Sequence, residues 1–212
     1  MTTLRNIGIG LLVILVLAAI AIALLLRGSK AELTVDEVSG TDPTLVEPDS
    51  EWFPTIRVAE PVGWAEGEAP EAAEGLQVVR FAEGLDHPRV VYALPNGDVL
   101  VTLTNSPPRD VGGIEGFIMK TLMGKAGAGV PSPDKLVLLR DSDGDGRADI
   151  KQVLREDGLE SPSGIAYDDG TLYIANHNAL LAFDYELGSA KVTGEPRKLI
   201  DLPGGGNHWM RN

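Results

Sequence analysis

The sequence contains no cysteine, and only 5% of its residues are aromatic. The lack of cysteine excludes disulfide bonds, thiolate catalysis and cysteine metal sites, but it does not settle the compartment. Basic residues are also few, because 18 Lys and Arg stand against 31 Asp and Glu and give a formal net charge of −13. A surface this acidic repels nucleic-acid phosphate, so nucleic-acid binding is excluded as a function class.

Glycine and proline are abundant by contrast, with 25 Gly and 14 Pro among 212 residues. This composition favours many short strands joined by turns over a helical bundle. We expect strands in five short runs rich in Val, Ile, Leu and Tyr: LQVVRF, DVLVTL, KLVLLR, TLYIAN and ALLAFDY. Turn signals typical of tight hairpins lie between these runs, at Asn96-Gly97, Asp169-Gly170 and Leu187-Gly188-Ser189. The sequence therefore predicts an antiparallel all-β domain over residues 76–212.

A long apolar segment precedes this domain. Residues 7–26 form a continuous uncharged run, IGIGLLVILVLAAIAIALLL. Twenty residues at about 1.5 Å per residue span about 30 Å, the hydrocarbon thickness of a bilayer. We therefore expect residues 1–30 to be a membrane anchor that contacts the lipid bilayer through residues 7–26. A cleaved signal peptide is the alternative, although its apolar region usually has only about 7–15 residues.

The segments on either side of the apolar run bear on its orientation. A six-residue tail precedes it and a folded domain follows it, so we expect a single-pass inner-membrane protein with its domain outside the cytoplasm, in the periplasm. The flanking basic residues are few and slightly more of them follow the run, which taken alone mildly opposes this orientation. Residues 31–75 are rich in Pro and Glu, and they predict a solvated linker and lead-in.

An internal repeat relates GLDHP, which begins at Gly84, to GLESP, which begins at Gly158. Each copy is followed by a strand, a turn that ends in Gly and a second strand, which is the pattern of successive β-propeller blades. The copies lie 74 residues apart, more than the roughly 40–50 residues of one blade. We assign the excess to an insertion over residues 106–133. Its GKAGAG run lacks the ending of a phosphate-binding loop and is interpreted as a flexible segment.

A third repeat is expected to begin at Asn207-His208. Propellers typically need about 4–8 blades to close. The sequence holds two blades and the opening of a third. It is therefore expected to be a fragment of a longer protein, with an incomplete propeller domain over residues 76–212.

Residues 141–149 read DSDGDGRAD and follow the pattern D-x-D-x-D-G-x-x-D of a calcium-binding loop. Gln152 occupies the position of the usual bidentate Glu, and strands are expected on both sides, so a true EF-hand is not predicted. Four carboxylates this close repel one another without a cation, which favours a structural Ca²⁺ site over a solvated acidic turn. The predicted ligands are Asp141, Asp143, Asp145, Arg147 through its backbone carbonyl, and Asp149.

His208 follows three glycines in LPGGGNHWMRN, residues 202–212. Glycine lets the backbone bend sharply or approach a ligand closely. A neutral imidazole can accept a proton near neutral pH. A lone His is more often structural, however. His87 is interpreted as a turn or axis-facing residue and His177 as a loop residue.

Four stretches, taken in order, resemble the sorbosone dehydrogenase group of soluble PQQ-dependent sugar (glucose) dehydrogenases: FAEGLDHPRVVYALPNGDVLV, LVLLRDSDGDGRADI, SPSGIAYDDGTLYIANHNALLAFDY and DLPGGGNHWMRN. The resemblance covers roughly residues 40–212. It implies a six-bladed propeller that binds pyrroloquinoline quinone (PQQ) with Ca²⁺ near its axis. It also implies that His208 is the general base for a sugar hydroxyl and that Asn207 and Arg211 line the cofactor.

The resemblance implies a dehydrogenase whose substrate is a sugar or a hydrated sugar aldehyde. With the anchor expected from residues 7–26, the protein would be membrane-anchored, and a respiratory electron acceptor is a possible partner. The 212 residues alone are expected to be inactive, because the blades that supply most quinone contacts are absent. Two alternatives stay open. One is a non-catalytic, calcium-stabilised β-propeller that acts as a binding module. The other is a lactonase-type hydrolase with a metal-activated water, of which Asn176 and Asn178 are the only hints.

Overall fold

The computed structural model describes residues 2–25, 32–47, 58–108, 111–205 and 208–211, and the chain divides into two compact units, Met1–Ala59 and Glu60–Asn212. The first unit contains helix α1, Thr2–Leu25. Its stretch Arg5–Leu24 has a mean hydropathy of 3.1, and none of it is buried. The helix is therefore long and apolar enough to cross a membrane, a property that a membrane anchor and a signal sequence share.

The second unit is built on two four-stranded antiparallel sheets, in each of which the strands follow one another in chain order. The first sheet contains β1 (Pro88–Ala93), β2 (Val99–Leu103), β3 (Lys135–Arg140) and β4 (Ile150–Arg155). The second contains β5 (Gly164–Asp168), β6 (Thr171–Ala175), β7 (Ala179–Asp184) and β8 (Arg197–Asp201). The prediction of antiparallel β-sheets after a long N-terminal apolar segment is confirmed.

Two of the three turn signals form tight hairpins, and the third, at Gly188, lies in the longer connection between β7 and β8. Gly97 turns the chain between β1 and β2 with a φ of 89°, and Asp169 and Gly170 connect β5 to β6 with φ angles of 40° and 78°. Gly adopts positive φ at little steric cost, and Asp tolerates it better than most residues do. The local chemistry of these turns therefore sets where each first strand ends.

One core of buried apolar side chains joins the two sheets. Leu136 and Leu138 of β3 point into it, whereas the alternate residues Val137 and Leu139 point to the opposite face of the first sheet. The second sheet contributes Phe183, which is 1% exposed, together with its strand neighbours. Neither sheet could bury both of its faces alone, so packing against one another stabilises both.

The segment LQVVRF, residues 76–81, contains no strand, so that prediction is wrong. Phe81 and Leu85 instead pack against the outer face of the first sheet, over Val137 and Leu139. The Phe81 carbonyl accepts a hydrogen bond from the Ala148 amide at 2.8 Å. Because these side chains cover the face of the sheet, the segment does not run along an edge where it could extend a ladder.

The insertion between β2 and β3 contains helix α2, Gly113–Lys125, which the sequence did not predict. Residues 124 and 125 of the GKAGAG run end this helix, and the next residues close a hydrogen-bonded turn in which the Ala128 amide donates to the Met123 carbonyl at 2.9 Å. The run thus forms the end of a helix and the turn after it, and its flexibility stays a prediction. Apolar side chains occur around the whole helix instead of on one stripe, so no 3.6-residue period revealed it.

Candidate functional site

The two copies of the repeat begin with the same backbone geometry. His87 and Ser161 occupy equivalent positions in GLDHP and GLESP, and their φ angles are 49° and 44°. The His87 carbonyl accepts a hydrogen bond from the Thr104 amide at 3.0 Å, and the Glu160 carbonyl accepts one from the His177 amide at 3.1 Å. The residues before β1 and β5 therefore lie at the same end of the sheets as the connections after β2 and β6. We call this the His87–Ser161 end.

Residues 208–211 lie at this end as well, beside the start of β5. The Ser163 hydroxyl, which is fully buried, donates to the Arg211 carbonyl at 2.7 Å and accepts from the Arg211 amide at 2.7 Å. Trp209 is buried, at 7% exposure, and His208 beside it is exposed. The His208 ring makes no hydrogen bond to any residue that the structure describes. His208 is thus held by its backbone neighbours and presents its ring to solvent.

The Arg211 guanidinium donates hydrogen bonds to nearby backbone carbonyls. Its Nη1 donates to the carbonyls of His208 at 2.8 Å and Met210 at 3.2 Å, and its Nη2 donates to the carbonyl of Pro203. Its Nε is buried and has no partner among the described residues. The predicted role of Arg211 in cofactor binding stays a prediction. Asn207, the other predicted cofactor residue, lies outside the described residues.

Sequence reasoning missed Arg89, a second guanidinium at this segment. Arg89 lies on β1 and is exposed, and its guanidinium carbon lies 5.6 Å from the centroid of the Trp209 ring. A cation at this distance is attracted to the indole face. No local motif marks Arg89, since its partner lies far away in the sequence. The pair brings the first sheet into contact with the segment that carries His208.

The Asp-rich loop connects β3 to β4 and therefore lies at the opposite end of the first sheet from His87. Ligand oxygens of Asp141, Asp143 and Asp149 lie within 4.8 Å of one another. Asp145 does not join this group; its Oδ1 accepts a hydrogen bond from the Arg147 amide at 2.8 Å. Three of the four predicted carboxylate ligands are thus brought together.

Hydrogen bonds order the loop around two of these carboxylates. Asp141 accepts bonds from the amides of Gly144 at 2.7 Å and Gly146 at 2.8 Å. Asp149 accepts bonds from the amide and hydroxyl of Ser142, both at 2.7 Å. The Ser142 amide, followed by its hydroxyl, holds the pKa of Asp149 below its ordinary value. Asp149 is therefore an anion at neutral pH, as a calcium ligand must be.

A cavity of about 440 Å³ opens on the second sheet near the Asn176–Asn178 connection. Asn176 is 3% exposed; its Nδ2 donates to the Gly158 carbonyl at 3.2 Å, and its Oδ1 has no partner among the described residues. Asn178 donates to Glu160 Oε2 at 2.7 Å. No group of three carboxylate or imidazole ligands forms here within the described ranges. The cavity lining contains two carboxylates, Glu160 and Asp201, and the lactonase-type alternative stays a prediction.

No family model matches the chain, and no curated protein matches it either. Solved structures resemble part of it, among them the following two. One is the holo form of the PQQ domain of pyranose dehydrogenase from Coprinopsis cinerea, with 17% identity and a TM-score of 0.48 over 66% of this chain and 27% of that one. The other is the iodide structure of a Trichoderma reesei carbohydrate-active enzyme of family AA12, with 20% identity and a TM-score of 0.46 over 68% and 30%.

This chain therefore spans less than a third of either structure. Both TM-scores lie below 0.5. At that level of likeness, neither structure carries an argument about this chain, and the case for its function rests on its own residues.

Proposed function

We propose that the second unit supplies two blades of a β-propeller in a membrane-anchored, PQQ-dependent sugar dehydrogenase. The observation that carries the proposal is the position of His208. His208 lies at the His87–Ser161 end, next to the start of β5. A third copy of the repeat would begin there. Two sheets with four strands in chain order, each opened by a residue with the same positive φ, support the blade interpretation.

The chemistry of residues 208–211 fits an anionic quinone cofactor and a sugar. PQQ bears carboxylates, and bound PQQ supplies the acceptor for the sugar's hydride. Arg89 and the buried Nε of Arg211 offer positive charge at this segment, and guanidinium groups suit carboxylates. His208 takes the proton of the sugar hydroxyl, because its ring is exposed and no described residue occupies its nitrogens.

Calcium is proposed for the Asp-rich loop, with a structural role. Asp141, Asp143 and Asp149 supply converging hard oxygen ligands. The loop lies at the end of the first sheet opposite to His87, so this ion would be separate from any calcium beside the quinone. Its binding would fix the connection between β3 and β4 and would not take part in the oxidation.

Helix α1 is proposed to anchor the protein in the inner membrane, with the second unit in the periplasm. The length and hydropathy of Arg5–Leu24 support an anchor. In this arrangement the reduced cofactor would pass its electrons to a respiratory acceptor. The sorbosone-type specificity that the sequence resemblance implies is part of the same proposal.

The test is reconstitution of the full-length protein with PQQ and Ca²⁺, followed by dye reduction with a panel of sugars and sugar aldehydes. We expect dye reduction with at least one of them and none without PQQ. A protein that binds Ca²⁺ but neither binds PQQ nor oxidises any sugar would contradict the proposal. That result would favour the calcium-stabilised binding module.

A further inference from the structure

Asp134 connects the two sheets at the His87–Ser161 end. It stands directly before β3, and its Oδ1 accepts a hydrogen bond from the Ser161 amide at 2.8 Å. Ser161 is 2% exposed and leads into β5 at the second copy of the repeat. A hydrogen bond to a carboxylate is shorter and stronger than one between neutral groups. The contact therefore fixes the start of the second sheet to the start of β3.

Both residues of this contact have an uncommon backbone conformation. The φ angle of Asp134 is 50° and that of Ser161 is 44°. Residues other than Gly seldom adopt positive φ, and they keep it only where the surrounding contacts hold it in place. The bond between the Asp134 carboxylate and the Ser161 amide is such a contact, so its loss would free the turn before β5.

The Asp134 carboxylate is itself held in position. Its Oδ1 also accepts a hydrogen bond from the Ser132 hydroxyl, and the Ser132 oxygen accepts one from the Asn105 amide at 2.8 Å. Asn105 is 2% exposed. Asp134 is thus part of an ordered network and differs from a carboxylate that contacts only solvent.

The turn that Asp134 holds leads directly to a contact with the C-terminal segment. Ser163 follows Ser161 by two residues, with Pro162 between them, whose ring fixes its φ angle. The fully buried hydroxyl of Ser163 bonds to the amide and the carbonyl of Arg211. Few rotatable bonds therefore separate the amide that Asp134 holds from the hydroxyl that holds Arg211.

We propose that Asp134 is a positioning residue for His208, and that it acts through the Ser161 amide and the Ser163 hydroxyl. Its effect on the position of residues 208–211 stands independently of any activity. The consequence for sugar oxidation rests on the proposed function, in which His208 is the general base.

Three variants of the full-length protein separate this role from a general loss of stability. Asp134→Gly removes the carboxylate, and Gly adopts a φ of 50° without strain. Asp134→Asn retains a side-chain oxygen that accepts from the Ser161 amide, as a weaker neutral acceptor. Glu156→Ala is the matched control, because it removes an exposed carboxylate that pairs with Lys135, the residue after Asp134.

The first readout is hydrogen exchange of the Arg211 amide in protein without PQQ, followed by mass spectrometry of the peptide that contains it. We expect exchange about tenfold faster in Asp134→Gly, about threefold faster in Asp134→Asn and unchanged in Glu156→Ala. A peptide from β7 should exchange at the wild-type rate throughout, because the release is local.

Wild-type exchange at Arg211 in Asp134→Gly overturns the proposal. Should Asp134→Gly not fold, wild-type exchange in Asp134→Asn overturns it instead. Equal acceleration in the β7 peptide also overturns it, since Asp134 would then stabilise the whole sheet and not position one segment.

The route through Ser163 has its own readout. If Asp134 acts on Arg211 through the Ser163 hydroxyl, the double variant Asp134→Gly/Ser163→Ala should exchange no faster at Arg211 than Ser163→Ala alone. Effects that multiply would show that Asp134 acts independently of Ser163, and they would overturn the proposed route.

Kinetics of the PQQ-reconstituted protein then test the consequence for the base. We expect Asp134→Gly to lower kcat about tenfold with KM and PQQ binding nearly unchanged, and Asp134→Asn to recover most of kcat. Faster exchange at Arg211 with a wild-type kcat overturns Asp134 as a positioning residue. Faster exchange in a protein whose wild type oxidises no sugar supports the link from Asp134 to Arg211 and refutes the proposed function instead.

Discussion

The hydroxyl of Ser163 is hydrogen bonded to both backbone groups of Arg211, its amide and its carbonyl, at 2.7 Å each. Ser163 stands directly before β5, and Arg211 stands three residues after His208. One buried side chain thus fixes the segment that carries the candidate base to the second sheet. The position of His208 depends on this contact as much as on its own neighbours.

We predict that Ser163→Ala lowers kcat of the full-length, PQQ-loaded protein about 10- to 100-fold with little change in KM, because small displacements of a catalytic group are costly. Ser163→Thr retains the hydroxyl and should recover much of the activity. Steady-state kinetics with the best sugar substrate gives both parameters. Equal kcat values for the wild type and Ser163→Ala would show that this contact does not position the base.

The Asp98–Arg140 pair should stabilise the first sheet. Asp98 is 2% exposed, and Arg140 meets it with two bonds, Nε to Oδ1 at 2.5 Å and Nη2 to Oδ2 at 2.7 Å. Asp98→Asn should therefore lower the free energy of unfolding by about 1.5–3 kcal/mol. The control is Asp184→Asn, which removes the exposed pair with Arg197 and should cost about 0.5 kcal/mol or less. Urea unfolding in detergent gives both values, and equal costs would contradict the prediction.

The same pair should make stability depend on pH in the acid range. Hydrogen bonding from the Arg140 guanidinium holds the pKa of Asp98 below its ordinary value of 3.8, against the opposing effect of burial. A lowered pKa means that the stabilisation is fully present above 3.8 and is lost as the pH falls through the folded-state value. The stability difference between the wild type and Asp98→Asn should shrink from about pH 5 to about pH 2. A stability difference that stays constant over this range would show that ionisation of Asp98 does not cause the pH dependence.

The sequence pattern and the structure predict different sets of calcium ligands in the Asp-rich loop. The pattern predicts both Asp145 and Asp149 as ligands. The structure groups Asp149 with Asp141 and Asp143. Asp145 is outside that group, and its side chain accepts a hydrogen bond from the Arg147 amide. We predict that Asp149→Asn weakens Ca²⁺ binding about tenfold or more, and that Asp145→Asn has a smaller effect. Isothermal titration calorimetry measures both. The reverse order would favour the sequence pattern, and no Ca²⁺ binding by the wild type would refute the site.

Most strands of the second unit, and the hairpins at Gly97 and Gly170, could be predicted because their signals are local, whereas β8 was not predicted. Alternating apolar runs and the turn pairs at Gly97 and Gly170 specify elements without reference to distant residues. The strand predicted for LQVVRF is absent because a distant contact decides its structure. Its composition suits a strand, but Phe81 packs on the face of a sheet. Helix α2 was missed because its apolar residues have no single face to produce a period.

The candidate site could be predicted only in part. His208 and the Asp-rich loop carry their own motifs, so the sequence located them. The contact of Ser163 with Arg211 and that of Arg89 with Trp209 join residues far apart in the chain, and no local pattern encodes them. Asp145 was grouped with the other carboxylates because spacing alone does not show which of the four carboxylates converge.

The most direct test of the account compares His208→Ala with His177→Ala in the full-length protein reconstituted with PQQ and Ca²⁺. His177 is a histidine at the same end of the sheets, where it contacts the Glu160 carbonyl. The account predicts that His208→Ala lowers kcat about 10²–10⁴-fold while PQQ binding is retained, because a general base contributes that much. His177→Ala should oxidise sugar at nearly the wild-type rate. Sugar oxidation by His208→Ala at the wild-type rate, with PQQ bound, would contradict the account.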